Sequence, residues 1–137
     1  MFTHDGLKDV LTHLAAPPLF YEELRREIAR MERNGERFAI LRLVLDLNFQ
    51  KEVDVVNFSE AIVRATRGEE LVARLGEFEC AVLVRGNENA AENLLQRIAL
   101  NCTLQESALR FTTSRISSRA GESALDLLNR LDTLVLT

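Results

Sequence analysis

Runs of apolar residues and their spacing predict a series of helices and strands along the chain. The stretch 17–35 opens on two prolines and closes on Gly35, which is typical of a helix with a marked start and a marked C-cap. Apolar residues repeat on one face of this predicted helix at Phe20, Leu24, Ile28 and Met31. Residues 37–47 are nearly all apolar, which predicts a strand buried on both faces.

The rest of the chain continues this pattern. Asn57-x-x-Glu60 has the spacing of a capping box and predicts a helix that starts there and stops at Gly68. Residues 70–85 predict two strands joined by a tight turn, LGEFE, at 75–79. The remaining predicted elements are a helix over 87–102 with Asn87 as its N-cap, a strand over 108–118 and a helix over 122–136.

The element order is β-α-β-β-α-β with one extra helix at each end. This is the ferredoxin-like α+β arrangement, in which helices cover a four-stranded antiparallel sheet. Nucleotide cyclases, polymerase palms and RNA-binding modules all use it, so the fold alone does not identify a function. We expect residues 1–137 to form a single domain. We also expect burial of Phe38, Ile40, Leu43, Val82, Val84, Leu94, Ile98 and Phe111.

Composition narrows the classes of protein. An apolar content of 47% with 28% charged residues excludes bulk disorder. A net charge of −4 and few aromatic residues disfavour a nucleic-acid partner. No apolar run approaches the length of a membrane span and the chain opens without a signal peptide, so we expect a cytoplasmic protein with no direct membrane insertion. Cys80 and Cys102 have no metal-ligand spacing and are expected to be small buried residues.

Three segments together resemble the GGDEF domains, a family of bacterial signalling domains that includes the diguanylate cyclases. DVLTHLAAPPLF (9–20) is similar to the family motif D-x-L-T-G-L-x-N-R-x-x-F, with His13 in place of a glycine. VARLGEFECAVLV (72–84) is similar to the hairpin A-R-x-G-G-D-E-F-x-V-L-L, and LLNRLDTLVL (127–136) to a late family helix. The resemblance implies the cyclase palm type of the ferredoxin-like fold.

The five signature positions depart from the family pattern. They are Gly76, Glu77, Phe78, Glu79 and Cys80. In the family, the hairpin and the end of the first strand hold two metal ions that bridge the triphosphate of GTP. At these positions a glutamate replaces the second glycine, and a phenylalanine without an oxygen ligand replaces the metal-binding carboxylate.

The end of the first predicted strand departs as well. The family reads D-x-D-x-F-K there, whereas this chain reads VLDLNFQK. Alignment from the strand places Val44 at the metal-binding aspartate, and alignment from Lys51 places Asp46 there, so Asp46 is at most a remnant ligand. The family segment that recognises guanine, expected after Lys51, is mostly missing. The resemblance and its departures therefore predict no catalytic residues, no bound metal, no cofactor and no enzyme activity.

A possible ligand site remains before the hairpin. The family often carries an inhibitory product site, R-x-x-D, and the matching positions here are Arg67 and Glu70. Arg67 either contacts cyclic di-GMP or lies at a helix end near backbone carbonyls, with Glu70 solvated beside it. Glu77 and Glu79 are expected to be solvated on one face, while Phe78 either packs locally or forms part of an interface.

These features predict a degenerate, catalytically inactive GGDEF-like module. Its expected role is regulation or protein interaction in cyclic di-GMP signalling, through a protein partner or neighbouring domains of a longer chain. The alternative is a receptor that binds cyclic di-GMP or GTP through Arg67 and Glu70. An active cyclase with unusual residues is the third interpretation. An exposed basic cavity beside Arg67 favours the receptor, and a buried Arg67 paired with backbone carbonyls favours the interaction module.

Overall fold

The helices and strands follow the predicted order. A computed structural model describes residues 3–68, 70–104 and 108–137. The helices are α1 (Pro17–Asn34), α2 (Glu52–Ala65), α3 (Glu88–Thr103) and α4 (Ala124–Asp132). The strands are β1 (Phe38–Leu45), β2 (Leu71–Gly76), β3 (Glu79–Arg85) and β4 (Phe111–Ser117).

The four strands form one antiparallel sheet in the order β2-β3-β1-β4. The two inner strands, β1 and β3, are the most continuously apolar, because both of their faces are covered by helices. In β1, Phe38 lies opposite Arg85 and Val44 lies opposite Glu79, so the β2–β3 turn and the end of β1 share one end of the sheet. The predicted ferredoxin-like α+β fold is confirmed.

Two cores lie on the two faces of the sheet. On one face, α2 and α3 cover alternate β1 residues such as Leu41 and Leu43. On the other, α1 and α4 cover Phe38 and Ile40. Of the eight residues predicted to be buried, seven are buried and Phe111 is partly buried against the α2–α3 side.

Several predicted boundaries were wrong. Helix α2 starts at Glu52 instead of Asn57, because the Asp54 carboxylate accepts a hydrogen bond from the Lys51 amide at 3.2 Å and so secures an earlier first turn. Strand β4 starts at Phe111 and α4 ends at Asp132, each inside its predicted range. Within the described residues, no helix has the length and apolar character that a membrane crossing requires.

Candidate functional site

The β2–β3 hairpin presents a two-residue turn at one end of the sheet. Gly76 lies opposite Glu79, so Glu77 and Phe78 form the turn, and the strand register shifts between Arg74 and Gly76. The Leu45 amide donates to the Phe78 carbonyl at 2.9 Å, which joins the turn to the end of β1. The hairpin and the first-strand end, which the resemblance assigned to one site, are therefore adjacent.

A buried ion pair fixes the base of the hairpin to the N-terminal segment. Arg74 Nη1 lies 3.0 Å from both carboxylate oxygens of Asp9, and the two side chains are 3% and 0% exposed. Arg74 Nη2 also donates to the Glu77 carbonyl at 2.8 Å. Asp9 Oδ2 accepts two further bonds of 2.7 Å from the Thr12 amide and hydroxyl. Asp9 and Arg74 therefore unite two of the segments on which the resemblance depends.

His13 has a left-handed backbone conformation, with φ of 61°. This is the position where the motif of the resembling family carries glycine. The turn therefore keeps a backbone geometry that favours glycine, and the Cβ of histidine makes it strained by about 1 kcal/mol.

The three side chains at the hairpin tip have different environments. Glu77 is exposed, as predicted. Phe78 is partly buried against the α2–α3 core, which matches the local-packing alternative. The prediction of a solvated Glu79 is wrong, because Glu79 is half-buried and its Oε1 accepts from Arg42 Nη2 at 2.8 Å. This hydrogen bond is the main reason why the pKa of Arg42 is raised.

The last signature position and the first-strand end also have structural contacts. Cys80 is buried, and burial raises the pKa of its thiol to about 12. The Asp46 carboxylate accepts from the Asn48 amide at 3.0 Å, which stabilises the turn after β1. Among the described residues, no group of three or more His, Cys, Asp and Glu side chains is arranged to hold a metal ion.

Arg67 and Glu70 line a cavity of about 680 Å³ between the α2–β2 connection and α3. Arg67 is exposed, and Arg85 and Arg97 line the same cavity. Arg97 Nη2 lies 3.9 Å from Glu70 Oε1, while Arg97 Nε donates to the Ala65 carbonyl at 3.0 Å. Three guanidinium groups with one lining carboxylate make this a basic cavity, the arrangement that favours the receptor interpretation.

Sequence reasoning missed Arg85 and Arg97, which complete this cavity, and Arg42, which binds Glu79. Arg97 belongs to α3, and only the packing of α3 beside the end of α2 brings it to the Ala65 carbonyl. Arg42 interrupts the apolar run of β1, and this interruption was a usable signal. A charge within a buried strand requires a partner, and the β1–β3 pairing supplies it.

Comparison with solved structures gives the same fold. The GGDEF domain of DgcB from Caulobacter crescentus in complex with c-di-GMP has a TM-score of 0.83 at 22% identity, over 96% of this chain and 86% of that one. A sensory box/GGDEF family protein from Caulobacter crescentus has a TM-score of 0.77 at 24% identity, over 91% of this chain and 92% of that one. No protein-family model and no curated protein sequence matches the chain.

A third neighbour is the diguanylate cyclase SiaD from Pseudomonas aeruginosa in complex with its activator SiaC. Its TM-score is 0.81 at 21% identity, over 91% of this chain. The chain spans only 55% of the length of that neighbour. The predicted resemblance to GGDEF domains is thus confirmed at the level of the fold.

The prediction that this chain is not an enzyme is wrong in light of these neighbours. They include SiaD, a diguanylate cyclase and therefore an enzyme, with the same fold over nearly the whole chain. The substitutions at Glu77 and Phe78 do not by themselves establish a loss of activity.

Proposed function

We propose that this domain is a regulatory and protein-interaction module in cyclic di-GMP signalling. Its fold is that of GGDEF domains, and two of its neighbours, DgcB and SiaD, are recorded with cyclic di-GMP and with an activator protein respectively. Those ligands belong to the neighbours. They support the proposal by showing that the fold accommodates both kinds of contact.

The observation that carries the proposal is the structural use of the hairpin side chains. Phe78 packs on the core, Glu79 binds Arg42, and Arg74 binds both Asp9 and the Glu77 carbonyl. These side chains are thus occupied by contacts within the domain, which favours contact with a partner through another surface.

The surface of α4 and the segment after it is the best candidate for partner contact. Leu125 is 67% exposed and Val135 is 80% exposed, although both are apolar. Leu134 is 39% exposed, while Leu136 is partly buried. These exposed apolar side chains are candidate contact residues, because apolar surface left in water favours association.

A cellular measurement tests this role. The domain is overproduced in a bacterium that uses cyclic di-GMP, and cellular cyclic di-GMP is quantified by mass spectrometry. We expect a changed level with the wild type and no change with Leu125→Arg/Val135→Arg. Leu100→Arg is the matched control, since Leu100 is 59% exposed on α3, on the other face of the sheet. An unchanged level with the wild type would contradict the proposal.

Purified protein separates contact from catalysis. The wild type and Leu125→Arg/Val135→Arg are incubated with GTP and Mg²⁺, and cyclic di-GMP is measured. The proposal requires that any turnover be equal in the two proteins, because the altered surface acts only on a partner. A turnover that the substitutions abolished would assign the cellular effect to catalysis.

The second candidate function is a cyclic di-GMP receptor, favoured by the basic cavity at Arg67. The exposed guanidinium of Arg67 forms no ion pair within 4.0 Å among the described residues, whereas Arg85 Nη2 lies 3.1 Å from Glu27 and Arg97 interacts with Glu70. A guanidinium that has no ion-pair partner in the described part of the chain is suited to bind a phosphate.

Calorimetric titration with cyclic di-GMP tests the receptor. We expect Arg67→Ala to weaken binding by about tenfold, the value of one charge-assisted hydrogen bond. Arg25→Ala is the matched control, because Arg25 is 73% exposed on α1 and does not line the cavity. Absence of binding to the wild type, or equal binding by Arg67→Ala, would leave only the interaction module.

A further inference from the structure

A second large cavity lies at the end of the sheet opposite the hairpin turn. Its volume is about 760 Å³, and it lies between the end of α1, the start of β1, the end of β4 and α4. We call it the far cleft. Its charged lining residues are Glu32, Arg37, Glu88, Arg119 and Arg130. None of the residues lining the Arg67 cavity lines the far cleft.

The neighbouring ends of β1 and β4 bring two of its arginines to the same cavity. In the β1–β4 ladder Ala39 lies opposite Ser117, and the Ser118 amide donates to the Phe38 carbonyl at 2.9 Å just beyond it. Arg37 and Arg119 follow directly beyond this contact, one before β1 and one after β4, and both line the cleft. Each adds a positive charge to the same part of the cleft, which favours an anion there.

No carboxylate of the described residues is ion-paired with either arginine. Arg37 and Arg119 are both exposed, and no salt bridge within 4.0 Å joins either guanidinium to an acidic side chain in the described ranges. Glu122 is the acidic neighbour of Arg119, and the pKa of Glu122 is lowered first by its hydrogen bond with Arg130 and further by the charge of Arg119. Their guanidinium donors are therefore available to a ligand. An arginine fork binds phosphate oxygens in two parallel hydrogen bonds, which adds both energy and geometric selectivity.

Arg130 is held in position by its own contacts. Its Nε and Nη2 donate to the two carboxylate oxygens of Glu122 at 2.9 and 2.8 Å, and Nη2 also donates to the Ser117 carbonyl at 2.6 Å. No bond to Nη1 exists within the part of the chain that the structure describes, and Arg130 lines the cleft. A fixed guanidinium with one spare nitrogen loses little entropy when a ligand binds.

Glu32 and Glu88 limit which anions fit. Both are exposed lining residues, and they balance the charges of Arg37 and Arg119. A polyanion such as RNA is therefore disfavoured over a small ligand that combines one anionic group with hydrogen-bond donors. The volume lies within the range of small-molecule sites, about 300–1,000 Å³.

We propose that the far cleft binds a small phosphorylated organic metabolite, of about the size of a nucleoside monophosphate. The phosphate contacts Arg37, Arg119 and the Nη1 group of Arg130. The hydroxyl or amine donors of the organic part face Glu32 and Glu88. This site is independent of the proposed signalling role and of the Arg67 cavity.

Calorimetric titration with three probes tests the site: ribose 5-phosphate, 5′-AMP and inorganic phosphate. We expect at least one organic phosphate to bind saturably, and the double variant Arg37→Ala/Arg119→Ala to bind it at least about tenfold more weakly. Arg33→Ala is the matched control, because Arg33 is an exposed arginine in the last turn of α1 that does not line the cleft. Arg67→Ala is expected to bind the probe as tightly as the wild type, because Arg67 lines the other cavity.

Three results would overturn the proposal. They are absence of saturable binding by the wild type at millimolar probe, equal binding by the double variant, and inorganic phosphate binding as tightly as both organic phosphates. Equally tight binding of inorganic phosphate would show that the cleft binds anions without recognising an organic group. Since both arginines are exposed, the double variant is expected to fold, and circular dichroism verifies this. Should it fail to fold, Arg119→Ala alone carries the same comparison.

Discussion

Replacement of Asp9 by alanine is expected to destabilise the domain strongly. Removing one partner of a buried ion pair costs about 3–5 kcal/mol, because the remaining charge stays buried without compensation. The Arg74 side chain is 3% exposed, so water cannot replace the carboxylate without rearrangement. Loss of the two Thr12 bonds adds about 1 kcal/mol each. The sum is a large part of a typical domain stability of about 5–15 kcal/mol.

Urea unfolding followed by circular dichroism measures this loss. Asp5→Ala is the matched control, since Asp5 accepts bonds from the Leu7 and Lys8 amides at 2.8 and 2.7 Å but is exposed and has no arginine partner in the described residues. We expect the control to lose much less stability than Asp9→Ala, because Asp5 is exposed and its hydrogen bonds are local. Asp9→Asn, which keeps the shape of the side chain, is expected to lose less than Asp9→Ala.

A second variant examines the cause of the loss. Arg74→Met in the Asp9→Ala background removes the buried charge that has lost its carboxylate, so we expect the double variant to be more stable than Asp9→Ala alone. A loss below about 1 kcal/mol for Asp9→Ala would show that the pair is not fixed as the structure has it. A double variant less stable than Asp9→Ala would show that the arginine stabilises the fold without its partner.

Three further outcomes are expected. Burial raises the pKa of Cys80 to about 12 and the pKa of Cys102 to about 11. At mildly alkaline pH both thiols should therefore react with a disulfide reagent only as fast as the domain unfolds, and immediate labelling of the folded protein would refute this. The hydrogen bond from Arg130 lowers the pKa of Glu122 in the folded protein. The stability that this pair contributes is therefore fully present above the unfolded pKa of about 4.5, and it is lost as the pH falls through the lower folded pKa. The destabilisation by Glu122→Gln should therefore be about 1 kcal/mol at neutral pH and shrink in acid, and an equal loss at both would contradict it. His13→Gly should raise the free energy of unfolding, measured in urea titrations, by about 0.5–1 kcal/mol, because glycine adopts a positive φ without strain. His13→Val should lower the free energy of unfolding, and the reverse order of the two variants would exclude strain at this turn.

Elements with strong local signals were predictable from the sequence. The apolar run of β1 predicted a central strand, and the prolines and Gly35 predicted both ends of α1, where Gly35 has φ of 70°. Asn87 accepts from the Asn89 and Ala90 amides as an N-cap should. Each of these features depends on residues adjacent in the chain, so a short window of sequence contains the cause.

The start of α2 shows how a local signal misleads. Asn57-x-x-Glu60 has capping-box spacing, but Asn57 lies within the helix. The operative contact is the hydrogen bond from the Lys51 amide to Asp54, and lysine is not a preferred N-cap residue. The sequence therefore offered a better motif at the wrong place.

Charged contacts across the fold were not predictable, because they depend on strand register and helix packing. Arg42 and Glu79 are 37 residues apart in the chain, and their bond follows from the pairing of β1 with β3. Arg97 reaches the Ala65 carbonyl because α3 packs beside α2. A sequence shows that such charges exist, whereas the fold determines which of them meet.

The same distinction explains why motif resemblance predicted the fold better than the chemistry. The fold depends on buried periodicity and on a few clamps such as Asp9 with Arg74, and these survive substitutions at the exposed turn. Glu77 and Phe78 lie in that turn, where a change of side chain leaves the strand pairing intact. Chemistry depends instead on which atoms the turn offers to a ligand and on what the rest of the chain supplies around it. Direct measurement on the folded domain is therefore the proper test of function, and the two arginine-lined cavities are the first places to apply it.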